Sequence, residues 1–204
     1  MFFQRISTAT FALFCLALPA LAEQDCTALR DDAARLSCYD LQSGYKQIDG
    51  STPPGTGKWT VRIETSPMTD QTDVYLHLES ETLLPARFGS GNAPADLFVR
   101  CRENTTSAFF VFNNHFMSDI QGYGQIEYRL DKNAMSKVGT DASTDNKALG
   151  LWSGARAIPF LKSLFAHDQL IVRATPYNES ALTVTFDIRG LEAASEKLRD
   201  ACKW

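Results

Sequence analysis

The sequence predicts a mainly β (α+β) fold, an antiparallel β-sandwich or partly closed barrel with a short N-terminal helical hairpin and a C-terminal helix packed on the sheet. Three observations predict it. From Trp59 onward, apolar and polar residues alternate in short runs, which is typical of strands with one buried face. Turn-forming segments separate these runs. Two further segments space their apolar residues as amphipathic helices do.

Residues 1–22 are predicted to be a signal peptide that directs export. Arg5 gives a positive start, residues 8–17 form a short apolar run, and Ala20 and Ala22 are the small residues that a signal peptidase reads. Cleavage after Ala22 would release a soluble exported chain. The apolar run is well short of the roughly 20 residues needed to cross a bilayer, and no later stretch is long and apolar enough to do so.

The charge of the chain disfavours nucleic acid as a partner. The sequence has 20 basic and 24 acidic residues, a formal charge of −4, and the signal carries away one basic residue, Arg5, and no acidic one. The mature chain is therefore mildly acidic, whereas proteins that bind nucleic acid present basic surfaces. With 44% hydrophobic and 22% charged residues, the composition is typical of a folded domain.

The cysteine count indicates two disulfides. Removal of the signal takes away Cys15, whose acylation is an alternative that Phe14 disfavours, since lipoprotein processing needs a small residue there. An even number of cysteines in an exported chain is typical of a disulfide framework. The four that remain are Cys26, Cys38, Cys101 and Cys202.

The favoured pairing is Cys26 with Cys38 and Cys101 with Cys202. In one straight helix, Cys26 and Cys38 would lie about 18 Å apart, too far for a disulfide. We therefore predict a helical hairpin over residues 23–43 that is stapled by this pair. The second bridge would close a loop of about 100 residues, worth about 4 to 5 kcal/mol by chain entropy. The other pairings stay open, since four cysteines allow three.

The rest of the chain divides into a linker and a β domain. Residues 44–58 are rich in Gly and Pro and predict a linker, and residues 59–204 predict the β domain with its C-terminal helix. The segment 108–113 is apolar on both faces, so we expect it at the centre of the core. The predicted strands span 59–64, 74–79, 97–102, 108–113, 126–130, 170–174 and 182–188, and the predicted helices span 155–166 and 191–202.

The motif search predicts no catalytic, cofactor-binding or metal-binding residue. None of the three histidines, His77, His115 and His167, has a second histidine or a cysteine at metal-ligand spacing. Residues 150–154 place their serine one position late for a nucleophile elbow, and residues 141–146 lack the glycine that a calcium loop needs. We expect a protein that is not an enzyme, although a site assembled from scattered residues remains an alternative.

Four aromatic residues form the candidate interaction surface. Exposed aromatic side chains are favoured contact anchors, and these four are predicted in or near loops: Phe116, Tyr123, Trp152 and Tyr177. Packing in the core or within a turn is the alternative for each of them.

An ordered set of motifs resembles the VasI/TagO family of type VI secretion-associated proteins. The motifs are Cys26-x-x-Leu29-x-Asp31-x-x-x-Arg35-Leu36-x-Cys38-Tyr39-Asp40, Trp59 opening a strand, Leu97-x-Val99-Arg100-Cys101, Ile158-Pro159-Phe160-Leu161-Lys162, Val172-Arg173-Ala174-Thr175-Pro176, Phe186-Asp187-Ile188-Arg189-Gly190-Leu191 and Ala201-Cys202. The resemblance implies a periplasmic accessory protein of a contractile, phage-tail-like secretion apparatus in a Gram-negative bacterium. It implies a protein partner in the cell envelope and brings no catalytic residues.

Two functional hypotheses follow. The first is a non-enzymatic periplasmic adaptor that acts by protein–protein binding within such an apparatus. The alternative is a periplasmic inhibitor of a cell-wall hydrolase, similar to lysozyme inhibitors, that would insert residues 113–123 into the cleft of the hydrolase.

Overall fold

The computed structural model describes residues 26–28, 35, 38, 39, 42, 55–87 and 91–204. The predicted signal peptide, most of the helical hairpin and most of the linker lie outside these residues. The chain divides into two compact units, Met1–Gln47 and Ile48–Trp204. In the first unit, a 3-10 turn spans Cys26–Ala28, and Cys26 is bridged to Cys38 with their Cα atoms 5.5 Å apart. This confirms the favoured pairing.

Two antiparallel sheets form the second unit. The six-stranded sheet has the order β1-β2-β3-β4-β8-β7, and the four-stranded sheet has the order β10-β9-β5-β6. The described strands thus form two separate open sheets, so the expectation of a mainly β fold is confirmed, whereas a closed barrel is not found among them. Their bounds are β1 Thr60–Thr65, β2 Thr72–Pro85, β3 Asn92–Arg102, β4 Thr105–Val111, β5 Gln125–Leu130, β6 Ser136–Gly139, β7 Asp141–Ala142, β8 Ala148–Leu151, β9 Gln169–Ala174 and β10 Leu182–Asp187.

Three helices are described in the second unit. Helix α1 spans Gly154–Leu164, with Pro159 inside it. The predicted C-terminal helix is interrupted at Ser195, which separates α2, Leu191–Ala194, from α3, Glu196–Cys202. Apart from this interruption, both helices lie where the apolar spacing predicted them.

Both sheets contribute to one hydrophobic core. Phe110 of β4 lies near its centre, with its ring centroid 6.0 Å from that of Phe186, 6.3 Å from Phe112 and 6.4 Å from Phe160. Strand β4 is an inner strand, paired with β3 on one side and β8 on the other. The expected central position of this strand is confirmed.

The end of the chain is tied to β3 and β4. Helix α3 packs against β2 and β3, and Cys202 is bridged to Cys101 with a Cα separation of 5.8 Å. Thr106 lies opposite Cys101 in the sheet, and its hydroxyl accepts a hydrogen bond of 2.9 Å from the Trp204 indole. The second predicted disulfide is therefore also confirmed.

A tight corner follows β10. The indole N–H of Trp59, which is 1% exposed, donates to the carbonyl of Ile188 at 3.4 Å. Gly190 has a φ of 82°, and a Cβ at this position would lie 2.4 Å from the carbonyl carbon of Thr56. Only glycine combines this left-handed conformation with such a close approach of two backbone segments. The corner thus packs the start of the β domain against the start of α2.

Candidate functional site

Three of the four aromatic residues predicted for the interaction surface lie together. The ring centroids of Phe116 and Tyr177 are 6.3 Å apart, and those of Tyr123 and Tyr177 are 5.3 Å apart. The backbone N–H of Tyr177 donates to the carbonyl of Phe116 at 2.9 Å. Phe116 and Tyr123 lie in the connection between β4 and β5, and Tyr177 lies in the connection between β9 and β10. We call Phe116, Tyr123 and Tyr177 the loop aromatic cluster.

The loop aromatic cluster is partly open to solvent. Phe116 is 40% exposed and the nearby Ile120 is 56% exposed, while Tyr123 and Tyr177 are half-buried. The guanidinium of Arg87 lies 5.8 Å from the centroid of the Phe116 ring. Aromatic side chains that are already held in place lose little entropy on binding. The cluster is therefore a candidate surface for a protein partner.

A buried polar network holds the loop that carries Phe116. His115 is 4% exposed. Its Nδ1 lies 2.7 Å from Oε2 of Glu179, and its Nε2 lies 2.9 Å from the carbonyl of Pro85. Arg87 forms an ion pair with Oε1 of Glu179 at 3.0 Å, although this oxygen accepts no well-aligned hydrogen bond. Because Glu179 belongs to the same turn as Tyr177, the network fixes the two loops relative to each other.

Trp152 lies on the outer face of the six-stranded sheet and not in the loop aromatic cluster. Its ring stacks on Phe109 with centroids 5.1 Å apart, and its indole N–H donates to the carbonyl of Asp141 at 2.9 Å. The four predicted residues therefore divide into a group of three in the loops and one residue on the sheet.

This outer face also carries a row of stacked rings that the sequence did not predict. Phe98 stacks on His77 at 4.6 Å and on Phe109 at 5.1 Å, and Phe109 in turn stacks on Trp152. The signal was present, because His77, Phe98 and Phe109 occupy outward-facing positions of three strands. It could not be used, because the register that places them side by side is a property of the assembled sheet.

His77 also belongs to the group that could hold a metal ion. Its Nε2 is 2.7 Å from Oδ1 of Asp96, and one ligand atom from each of His77, Glu79 and Asp96 lies within 4.8 Å of the others. The imidazole–carboxylate pair accounts for the position of His77 and Asp96, and Glu79 is more exposed. His167 is paired in the same way, with Nδ1 2.6 Å from Oδ2 of Asp131.

The polar segment that resembles the start of a calcium loop, residues 141–146, leads from β7 into a structural turn. Ser143 donates to Oδ1 of Asp145 at 2.5 Å, and its own oxygen accepts the backbone N–H groups of Lys147 and Ala148. The Ser143 hydroxyl and the Lys147 N–H lower the pKa of Asp145. These bonds close the turn between β7 and β8. The oxygen atoms of this loop thus bind its own backbone, as expected for a turn.

In the described part of the chain, no helix combines the length and the apolar character that crossing a membrane requires. Both disulfides are of the kind found in exported proteins.

The comparison with known protein families shows which family this chain belongs to. The model of the VasI family, described as type VI secretion system VasI, EvfG, matches residues 25–204. The chain belongs to the VasI family. The matched range includes all four bridged cysteines and the loop aromatic cluster, so the features described above belong to the VasI part of the chain. The family resemblance predicted from the motifs is confirmed.

No curated protein matches the sequence. Among solved structures, the chain is similar to invasion associated protein B from Bartonella henselae, with 13% identity and a TM-score of 0.45. The similarity covers 73% of this chain and 96% of that one.

Proposed function

We propose that this VasI-family protein is a non-enzymatic periplasmic accessory protein of a type VI secretion system, and that it acts by binding another protein of the apparatus. Membership of the family carries the proposal. The two disulfides support export to an oxidising compartment. Mass spectrometry of the protein released from the periplasm tests the export step, and a mature N-terminus at Glu23 is the expected result.

The loop aromatic cluster is the surface that we propose for this binding. It offers a large aromatic side chain at an exposed position, Phe116, beside the exposed Ile120. The network around His115 fixes the cluster, so a partner would meet a preorganised surface. An aromatic anchor that becomes fully buried can contribute about 2 kcal/mol or more to the binding free energy.

Contact-dependent killing of a competitor strain tests this function. Deletion of the gene in a strain with an active apparatus should reduce killing, and Phe116→Ala with Ile120→Ala should reproduce most of the loss. The matched control is Met68→Ala with Leu83→Ala, which also removes two exposed apolar side chains, 85% and 58% exposed. Normal killing after deletion of the gene would contradict the function. Loss of killing in the control as well would contradict the choice of surface.

Inhibition of a cell-wall hydrolase is a second candidate function. It is favoured by the exposed Phe116 and Ile120, which lie within residues 113–123, the segment that would enter the cleft of the enzyme. Purified mature protein added to a panel of muramidases should then slow lysis of cell walls, and Phe116→Ala should weaken the inhibition. Undiminished lysis across the panel would exclude this candidate.

A further inference from the structure

A groove lies on the outer face of the six-stranded sheet. It has a volume of about 530 Å³ and lies beside Trp152. Phe109, Val111 and Trp152 are the large apolar residues that line it, and Arg100 is the one cationic residue among the described residues that line it. We call it the Arg100 groove.

The aromatic wall of the Arg100 groove is fixed before any ligand binds. Phe109 lies opposite Gly150, and Gly150 lies opposite Asp141. A Cβ on Gly150 would lie 2.7 Å from the Trp152 ring, so the indole occupies the space that a side chain would otherwise fill. With its N–H bonded to the carbonyl of Asp141, the Trp152 ring has one defined position. A preorganised wall of this kind lowers the entropy cost of binding.

Arg100 brings a positive charge to this wall and has no ion-pair partner among the described residues. Its Nε donates to the Ser107 hydroxyl at 3.0 Å, and its guanidinium carbon lies 5.3 Å from the Phe109 centroid and 6.0 Å from that of Trp152. Burial, and then the neighbouring Arg102, lower the pKa of Arg100. In the described residues, no carboxylate lies within ion-pair distance of it. The Coulomb attraction of Tyr75 and Asp73 opposes these two effects only in part, so part of the lost hydration is not replaced.

Most of the other arginines of the β domain differ in this respect. Five of them form ion pairs with carboxylates: Arg62, Arg87, Arg156, Arg173 and Arg189. A guanidinium that is half-buried and lacks such a partner gains most from an incoming anion, because the Coulomb attraction is less screened there than at an exposed site.

The groove also limits what that anion can be. Val111, Ala142 and Ala148 offer no hydrogen bond to a second charged group from their side chains, and the carboxylate of Asp145 lines the same groove and repels further negative charge. A single carboxylate next to an apolar group fits better than a polyanion. Strand β7, whose Ala142 lines the groove, is the last strand of the sheet.

We propose that the Arg100 groove binds a peptide segment of a partner protein in which one Asp or Glu side chain lies beside an apolar side chain. The carboxylate pairs with the Arg100 guanidinium, and the apolar side chain packs on Trp152 and Val111. This inference rests on the proposed function, since it gives the accessory protein a second contact with a partner, in addition to the loop aromatic cluster, and names the chemistry of the segment bound there.

The test is titration of the isotope-labelled mature protein with a short capped peptide of sequence Gly-Phe-Asp-Leu-Gly, followed by NMR. The chain has three tryptophans, Trp59, Trp152 and Trp204, so three indole N–H signals report on three places. Trp152→Phe assigns the signal of the groove. We expect the peptide to shift this signal and to leave the other two unchanged. The same peptide with Asn in place of Asp should bind about tenfold more weakly or worse.

Arg100→Gln should weaken binding of the acidic peptide by about tenfold and remove its preference over the Asn peptide. Arg62→Gln is the matched control, since Arg62 lies on the same sheet, stacks on Tyr75 at 4.7 Å and has its own carboxylate partner. Arg100→Lys keeps the charge without the planar fork and should retain part of the affinity. A dispersed spectrum shows that each variant is folded.

Three results would overturn the proposal: no shift of any indole signal, equal binding of both peptides, or unchanged binding by Arg100→Gln. The killing assay separates this inference from the function on which it rests. If the peptide binds as expected while deletion of the gene leaves killing normal, peptide binding by the groove is supported and the proposed function is contradicted. If deletion abolishes killing and Arg100→Gln does not affect it, the function stands and the groove plays no part in it.

Discussion

At the scale of single residues, the carboxyl group of Asp187 illustrates how one buried charge stabilises the corner after β10. Its side chain is 9% exposed. The Arg189 guanidinium donates two hydrogen bonds to it, at 2.7 and 2.5 Å, the Arg189 backbone N–H donates a third at 3.4 Å, and Nζ of Lys58 lies 3.3 Å away. The hydrogen bonds from Arg189 are the largest cause that lowers the pKa of Asp187, from 3.8 to about 2, with Lys58 adding to them against the opposing effect of burial.

This pKa predicts how stability depends on pH. Because the pKa of Asp187 is lower in the folded chain than in the unfolded one, its stabilising effect is complete above about pH 4 and is lost as the pH falls toward about 2. Asp187→Asn should lower the free energy of unfolding by about 1–2 kcal/mol near neutral pH and by almost nothing at the acid end. Urea denaturation of both proteins across this range measures the difference. A difference that does not change with pH would contradict the assignment.

Arg189→Gln is the companion variant. It removes the largest cause of the lowered pKa of Asp187 and leaves the carboxyl group in place. Most of the loss of stability near neutral pH should therefore appear in this variant too. Lys58→Gln should have a smaller effect, since Lys58 is exposed and is shared with Glu81.

At the scale of elements, local pattern predicted seven strands and missed three. Six of the seven have alternating runs and β4 is apolar on both faces, whereas β7 has two residues and β6 has one half-buried residue among four. Strand β8, Ala148–Leu151, is buried at every position. Burial does not alternate along β8, because the Trp152 ring covers Gly150 on the outer side. That cover comes from tertiary structure, so the sequence pattern of β8 alone could not reveal the strand.

The same reasoning explains which part of the candidate site was predictable. Phe116, Tyr123 and Tyr177 lie in connecting segments, where an aromatic side chain stands out against the polar residues around it. Their contact with one another depends on the His115 network, which joins segments 64 residues apart. The lack of an ion-pair partner for Arg100 could not be predicted from the sequence, because it depends on which carboxylates the sheet places nearby.

Gly150 provides a test of how β8 packs. A Cβ at Gly150 would lie 2.7 Å from the Trp152 ring and 2.8 Å from Cβ of Phe109. Gly150→Ala should therefore displace the indole and lower the free energy of unfolding by about 1–3 kcal/mol. Gly139→Ala is the control, since Gly139 also lies in a strand but has no atom within 4 Å of the added Cβ. Its effect should stay within about 0.5 kcal/mol. Equal effects in urea denaturation would contradict the packing described for Trp152.

At the scale of the whole molecule, the two disulfides act on different parts of the chain. The Cys101–Cys202 bridge joins residues 101 positions apart within the second unit, and Cys101 is itself a fully buried member of the core. The Cys26–Cys38 bridge joins residues 12 positions apart within the first unit. Among the described residues, every buried member of the shared core lies between Trp59 and Leu198.

This division predicts unequal effects of removing the two bridges. Cys101→Ala with Cys202→Ala releases the longer loop of the unfolded chain and opens a space in the core, so the free energy of unfolding of the β domain should fall by about 3–5 kcal/mol. Cys26→Ala with Cys38→Ala should leave the main unfolding transition within about 0.5 kcal/mol, because the buried core residues lie in the other unit. Urea denaturation followed by tryptophan fluorescence reports on the β domain, which contains all three tryptophans. Equal losses in the two double variants would show that the units do not unfold independently.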